Sequence, residues 1–130
     1  MPSRHEEVSP SELGSVAVEF ALVLPLLLVL VLGTIEFGYQ FFLSGSAAGA
    51  AREGARAAAI AGETGPGRDG AAKAFKDTTG RMAAVSSSPA SGKCTPGQPV
   101  TVTVTFTDSQ LTGFFGNLKV SGTGEMRCGG

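Results

Sequence analysis

Residues 20–33 read Phe-Ala-Leu-Val-Leu-Pro-Leu-Leu-Leu-Val-Leu-Val-Leu-Gly, without a charge among them. They follow one acidic residue, Glu19, which is itself preceded by Ser15-Val16-Ala17-Val18. A helix of roughly 20 mostly apolar residues is long enough to cross the hydrocarbon of a bilayer. Residues 15–33 reach that length if Glu19 is admitted. An ionisable side chain in hydrocarbon is costly and is retained for a function. This stretch therefore limits the chain to folds in which one long helix faces lipid and the remainder packs by itself.

That remainder is roughly 70 residues, near the lower limit for a core that holds together unaided. The whole chain has 130 residues and a formal net charge of -1, so charge makes no case for a nucleic-acid partner. The one histidine, His5, has no neighbours that suit a metal. No nucleophile has an identifiable base, and no glycine loop stands between a strand and a helix to hold a phosphate. The expectation is a non-enzymatic protein without cofactor or metal.

Residues 1–14 are short and polar, with Arg4, His5, Glu6, Glu7, Pro10 and Glu12, and carry no apolar periodicity. They read as a leader left in the cytoplasm. Arg4 is the only fixed positive charge before the run and Arg52 the first after it, so the charge bias that sets orientation is thin; an inside N-terminus is favoured. A cleaved secretory signal ending near Ser46-Ala47-Ala48 fits poorly. The apolar stretch is too long, it contains Glu19, and its leader is more acidic than basic.

Between residues 15 and 61 the only proline is Pro25, which membrane helices tolerate. The spacing predicts one long helix over 15–61, membrane-spanning at 15–33 and extracytoplasmic at 34–61. Phe37, Tyr39, Phe41 and Phe42 fit an interfacial aromatic belt. Small residues then recur at helical spacing: Ala47, Ala50, Ala51, Gly54, Ala55 and Ala58, with Gly45 and Gly49 as a further small pair. Such a face lets another backbone approach closely. It serves equally well to cover the chain's own domain. Gly45, Gly49, Ala51, Gly54 and Ala55 are the candidate helix-packing positions, whereas Arg52, Glu53 and Arg56 read as solvated.

Residues 62–130 read as a small extracytoplasmic α+β domain. Residues 62–69, with three glycines and a proline, read as a loop. A second helix is expected over 70–85, capped by Asp69, with Ala71 or Ala72, Phe75, Thr79 and Met82 on one side. The serine-rich residues 86–92 read as a flexible link. Residues 99–107 alternate Val100, Val102, Val104 and Phe106 with Thr101, Thr103, Thr105 and Thr107, the clearest strand signal in the chain. A loop through 108–117 and a returning strand over 118–128 complete a small antiparallel hairpin or sheet, with Leu118, Val120, Met126 and Cys128 in one alternating set. If this part lies outside the cytoplasm, the two cysteines, Cys94 and Cys128, read as a disulfide; the alternative is two unpaired thiols. A bond from just before the first strand to the end of the second suits antiparallel geometry.

The junction and the helix resemble the TadE-like family, minor pilins or pseudopilins of the tight-adherence (Flp-type, type IVb) pilus system. The residues that carry the resemblance are Gly14, Ser15, Glu19-Phe20, the Leu/Val run through Pro25, Ile35-Glu36-Phe37-Gly38 and Ala51-Arg52-Glu53-Gly54-Ala55-Arg56. It covers roughly residues 14–60 and is loose beyond them. The resemblance implies that a prepilin peptidase, an aspartyl membrane protease, cuts between Gly14 and Ser15. Ser15 then becomes the N-terminus and Glu19 the fifth residue. In pilin-like families this glutamate is thought to pair with a neighbouring subunit's N-terminal amine; the alternative is that Glu19 snorkels to the cytoplasmic interface. The leader departs from the usual short basic pattern, and Cys94 and Cys128 inherit no role from the family. Glu36 reads as a solvated glutamate near the outer interface.

The resemblance implies a single-pass protein whose partners are the membrane, the peptidase, and other pilin or pseudopilin subunits with their assembly machinery. The competing readings are a single-pass anchored envelope protein that never enters a filament, and a secreted domain whose mature chain starts near Ala48 or Gly49.

Overall fold

A computed structural model describes residues 3, 7, 9–90, 92–109, 113 and 116–129. Leader residues 1, 2, 4–6 and 8, among them Arg4, His5 and Glu6, and residues 110–112, 114 and 115 of the expected loop lie outside the described residues. The element order is α1 (Pro10–Ala61), α2 (Thr64–Thr79), β1 (Ala84–Ser88), β2 (Pro99–Ser109) and β3 (Asn117–Arg127). This is the α+β class expected. The chain divides into two compact units, Met1–Ile35 and Glu36–Gly130.

In the first unit the helix begins at Pro10, so residues 10–14 are helical rather than part of an unfolded leader. Local chemistry accounts for the earlier start. Ser9 stands at the cap position, Pro10 at the first helical position and Glu12 two residues on, a sequence pattern for a helix N-terminus. The Ser9 carbonyl accepts from the amides of Glu12 (3.0 Å) and Leu13 (3.2 Å). Pro25 lies inside the helix without ending it, leaving the Ala21 carbonyl without its usual amide donor.

The second unit is a three-stranded antiparallel sheet in the order β1-β2-β3, with residues 36–61 of α1 and all of α2 supplying the rest of its core. Val100, Val102, Val104 and Phe106 are buried, as their alternation predicts, and so are Leu118 and Val120. Val102, Val104, Phe106, Leu118 and Val120 meet Leu43, Ala47, Ala50, Ala51 and Ala55 of α1 and Ala71 and Phe75 of α2. The Phe75 and Phe106 rings lie 5.4 Å apart.

Three sequence expectations need correction here. Residues 64–69 are the first turns of α2 rather than a loop. Pro66 is tolerated there because amides of a first helical turn have no intrahelical acceptor. Glu63, not Asp69, holds the N-cap position, and it makes no side-chain cap bond. The helix ends at Thr79, where Gly80 takes up a left-handed conformation (φ 70°) and its amide donates to the Lys76 carbonyl at 2.7 Å. Met82, expected on the apolar face of that helix, is therefore beyond it and exposed. Finally, the serine-rich stretch is no link. Residues 84–88 pair with β2, Ser86 opposite Thr103 and Ser88 opposite Thr101.

Within β3 the alternation continues past Val120 through two glycines. A Cβ on Gly122 would lie 2.3 Å from the Ala47 carbonyl carbon and the Ala48 amide nitrogen. One on Gly124 would lie 2.5 Å from the Ala51 carbonyl and the Arg52 nitrogen. The backbones of α1 and β3 are thus in direct contact. Four helical residues advance about 6 Å and two strand residues about 6.6 Å, so α1 runs along β3 in the same direction. Met126, placed by the alternation on the inner face, is partly exposed instead.

Candidate functional site

Gly14 and Ser15 sit one turn inside α1, and both are exposed. The 14–15 bond thus lies one turn from the helix end, whose first amides lack partners. Glu19 lies one turn beyond Ser15, since residues four apart are neighbours on a helix surface, and it too is exposed. Phe20 and most of the following Leu and Val residues are exposed, Leu24 and Leu32 being half-buried. None of the most apolar 18-residue window is buried, and α1 is the one helix among the described residues long and apolar enough to cross a membrane. Near the end of the run Thr34 folds its hydroxyl back onto the Leu30 carbonyl at 2.7 Å, which keeps a polar group satisfied inside the helix.

The small-residue positions divide between two directions. Ala51, Gly54 and Ala55 face the second unit's own core. Gly54 packs so closely that an added Cβ would lie 2.6 Å from both the Ala71 Cβ and the Gly67 carbonyl oxygen. Gly67 in turn sits against Ala58, which explains why α2 starts in a glycine-rich segment. Gly45 and Gly49 face outward and meet nothing within 4 Å. With Phe41, Phe42, Ser46, Ala50, Ala74 and Thr78 they line an open groove of about 610 Å³.

Glu36 is buried, at 6 % exposure, and not solvated as the sequence suggested. It occupies the same helical stripe as Leu43, Ala47 and Ala50, which all turn into the core. Arg52, Glu53 and Arg56 are exposed. On α2, Lys73 donates to the Asp77 carboxylate at 2.5 Å, with both side chains mostly in water. That hydrogen bond, with the Asp77 charge behind it, holds the Lys73 ammonium above its ordinary value.

Cys94 and Cys128 are disulfide-bonded, with Cα atoms 5.5 Å apart, inside the normal range. Both are buried against Ala58, Ala59 and Val100. The surrounding loops are tied to the end of α1: the Cys94 amide donates to the Gly62 carbonyl at 2.8 Å, and Gly62 ends the helix at φ 71°. The contributions of Gly67, Gly122 and Gly124 were missed in the sequence. The available signal was two glycines in the inward register of a strand, where backbone-to-backbone packing is a standing reason for their presence.

Residues 14–56 match the model of the family described as TadE-like protein. The match begins at the junction glycine and ends within α1, so α2 and the sheet lie outside it. No curated protein and no solved structure matches the chain. The matched helix and its exposed apolar surface fit a pilus-associated membrane protein with a single-pass anchor.

Proposed function

Starting from a TadE-like helix over residues 14–56, we propose that the chain is a minor pilin- or pseudopilin-like structural subunit. A prepilin peptidase trims it, and it takes part in assembling a tight-adherence type IVb pilus. Its leader is cytoplasmic and its α+β unit extracytoplasmic. The observation that carries the reading is the exposed sequence Gly14-Ser15 followed one turn later by Glu19, at the head of an apolar helix surface that is itself exposed.

Hydrolysis of the 14–15 bond places a positive amine on Ser15, on the same helix surface as Glu19. In a low-dielectric setting an unpaired carboxylate is heavily penalised and an opposite charge beside it is strongly attracted. The amine of one subunit and Glu19 of the next therefore satisfy each other only when two helices lie side by side. Pairing favours assembly and discriminates against untrimmed chains, which lack the amine.

N-terminal sequencing of the protein from cells with an active prepilin peptidase should begin at Ser15. Retention of residues 1–14 sinks the processing step. The separate assembly step is read from Glu19→Gln, which keeps side-chain volume and removes charge. Filament output should fall while membrane insertion persists. Unchanged output points instead to an anchored envelope protein outside any filament.

A further inference from the structure

We propose that trimming of this chain is gated by its own helix. Residues 10–14 hold the 14–15 bond in a closed, helical form, and the peptidase takes the bond only while that turn is melted. The gate deepens the trimming step of the proposed function and rests on it.

The closed form lies in the backbone. α1 continues through the junction, so the helical pattern commits the Ser15 amide to the Ser11 carbonyl and the Gly14 carbonyl to the Val18 amide. Hydrolysis adds water across the bond: the water oxygen joins the Gly14 carbonyl carbon, and the Ser15 nitrogen leaves as an amine. The carbonyl must therefore face the enzyme, and a peptide gripped by main-chain hydrogen bonds is gripped extended. Five residues span about 7.5 Å as helix and about 16 Å as strand, so the two forms exclude each other.

The two sides of this balance are built separately. On the closed side, residues 10–14 are all exposed, so local chemistry alone forms the turn. The Ser9 carbonyl accepts from the Glu12 and Leu13 amides, and the Ser9 and Ser11 hydroxyls share a hydrogen bond of 2.9 Å. Glu12 stands in the first turn, where the helix dipole favours a carboxylate. On the open side stands Gly14. Its backbone is not left-handed, and an added Cβ would meet nothing within 4 Å. Neither conformation nor packing asks for glycine there, in contrast to Gly54 and Gly124, where a methyl would strike backbone. What glycine does at 14 is weaken the helix about five-fold against alanine, or about 1 kcal/mol, at the one bond that has to open. Because none of these residues is buried, opening costs only the local helix.

Ser11→Ala and Ser11→Gly separate helix from side chain, since both lose the hydroxyl and they differ in helix propensity. Each is made in the full chain in detergent micelles. Trimming by a prepilin peptidase is timed by intact mass, and amide exchange at Gly14 and Ser15 is measured without the enzyme. Ser11→Gly should be trimmed about three- to five-fold faster than Ser11→Ala, and exchange should quicken by the same factor. Ser3→Ala and Ser3→Gly, upstream of α1, should be trimmed alike. Equal rates within the Ser11 pair, or the reverse order, overturn the gate and leave trimming in place. A rate difference without its match in exchange also overturns it, because the enzyme is then responding to the side chain. A wild-type chain that the peptidase leaves whole at 14–15 removes trimming and gate together.

Discussion

Gly124→Ala tests how tightly α1 is laid on β3. Alanine has the better intrinsic fit to a strand interior, by about 0.5–1 kcal/mol, so a substitution without a clash should stabilise. The structure sets the opposite sign. The new methyl would stand 2.5 Å from the Ala51 carbonyl carbon and oxygen and from the Arg52 nitrogen, about 1 Å inside a normal carbon contact. Those atoms are helix backbone and cannot rotate away. Separation of helix and strand by that distance forfeits a quarter to a half of each dispersion contact along the seam, roughly, and overpacking of this kind costs about 1–3 kcal/mol. We expect a net loss of about 2 kcal/mol, which for a domain of this size lowers the melting temperature by roughly 8–16 °C. Tyr39 is the only tyrosine, and it packs against the core, so its emission in detergent micelles reports unfolding of this unit. The matched control is Gly49→Ala, where nothing lies within 4 Å and helix propensity alone should stabilise slightly. If Gly124→Ala melts with the wild type or above Gly49→Ala, the helix does not lie on the strand as described.

Replacing both Cys94 and Cys128 by serine frees a loop with a sequence separation of 34. In the chain-entropy model this costs about 3–4 kcal/mol, so the double variant and the reduced wild type should melt together, well below the oxidised protein. Phe75→Ala removes a ring with no exposed surface that contacts Phe106; a loss of about 3–5 kcal/mol is expected, read in the same melting assay. The Ser15 N-terminus and the Glu19→Gln filament count test function in the same way that these variants test the fold.

The parts of this fold that were legible in the sequence are those in which a single period dominates. The unbroken apolar run gave the long helix, and Val100-Thr101-Val102-Thr103-Val104 gave the central strand, because burial of one face imposes the period directly. The junction at Gly14-Ser15 and Glu19 was legible because an isolated carboxylate is conspicuous against Leu and Val. What was hidden depends on partners distant in sequence. Residues 64–69 look like a turn because glycine and proline usually punctuate structure. Yet Gly67 is there so that α2 can touch Gly54 and Ala58, and propensity yields to that contact. Residues 84–88 have little strand signature; they become a strand because β2 offers them a ladder. Glu36 was assigned to water by its chemistry and to the core by its position on the helical stripe, and position prevailed.

The side-by-side arrangement of α1 and β3 has a mechanical consequence. A force applied to the second unit along the axis of its α1 segment, residues 36–61, acts along the α1–β3 seam rather than across it. Loaded in that direction, the glycine contacts at 122 and 124 must slip simultaneously instead of opening one after another. The sulfur bridge, beyond the other end of the seam, ties down the loops next to the helix's last turn. Loaded along that direction the second unit is braced in shear, where its closely fitted helix and strand slide against one another rather than peel apart.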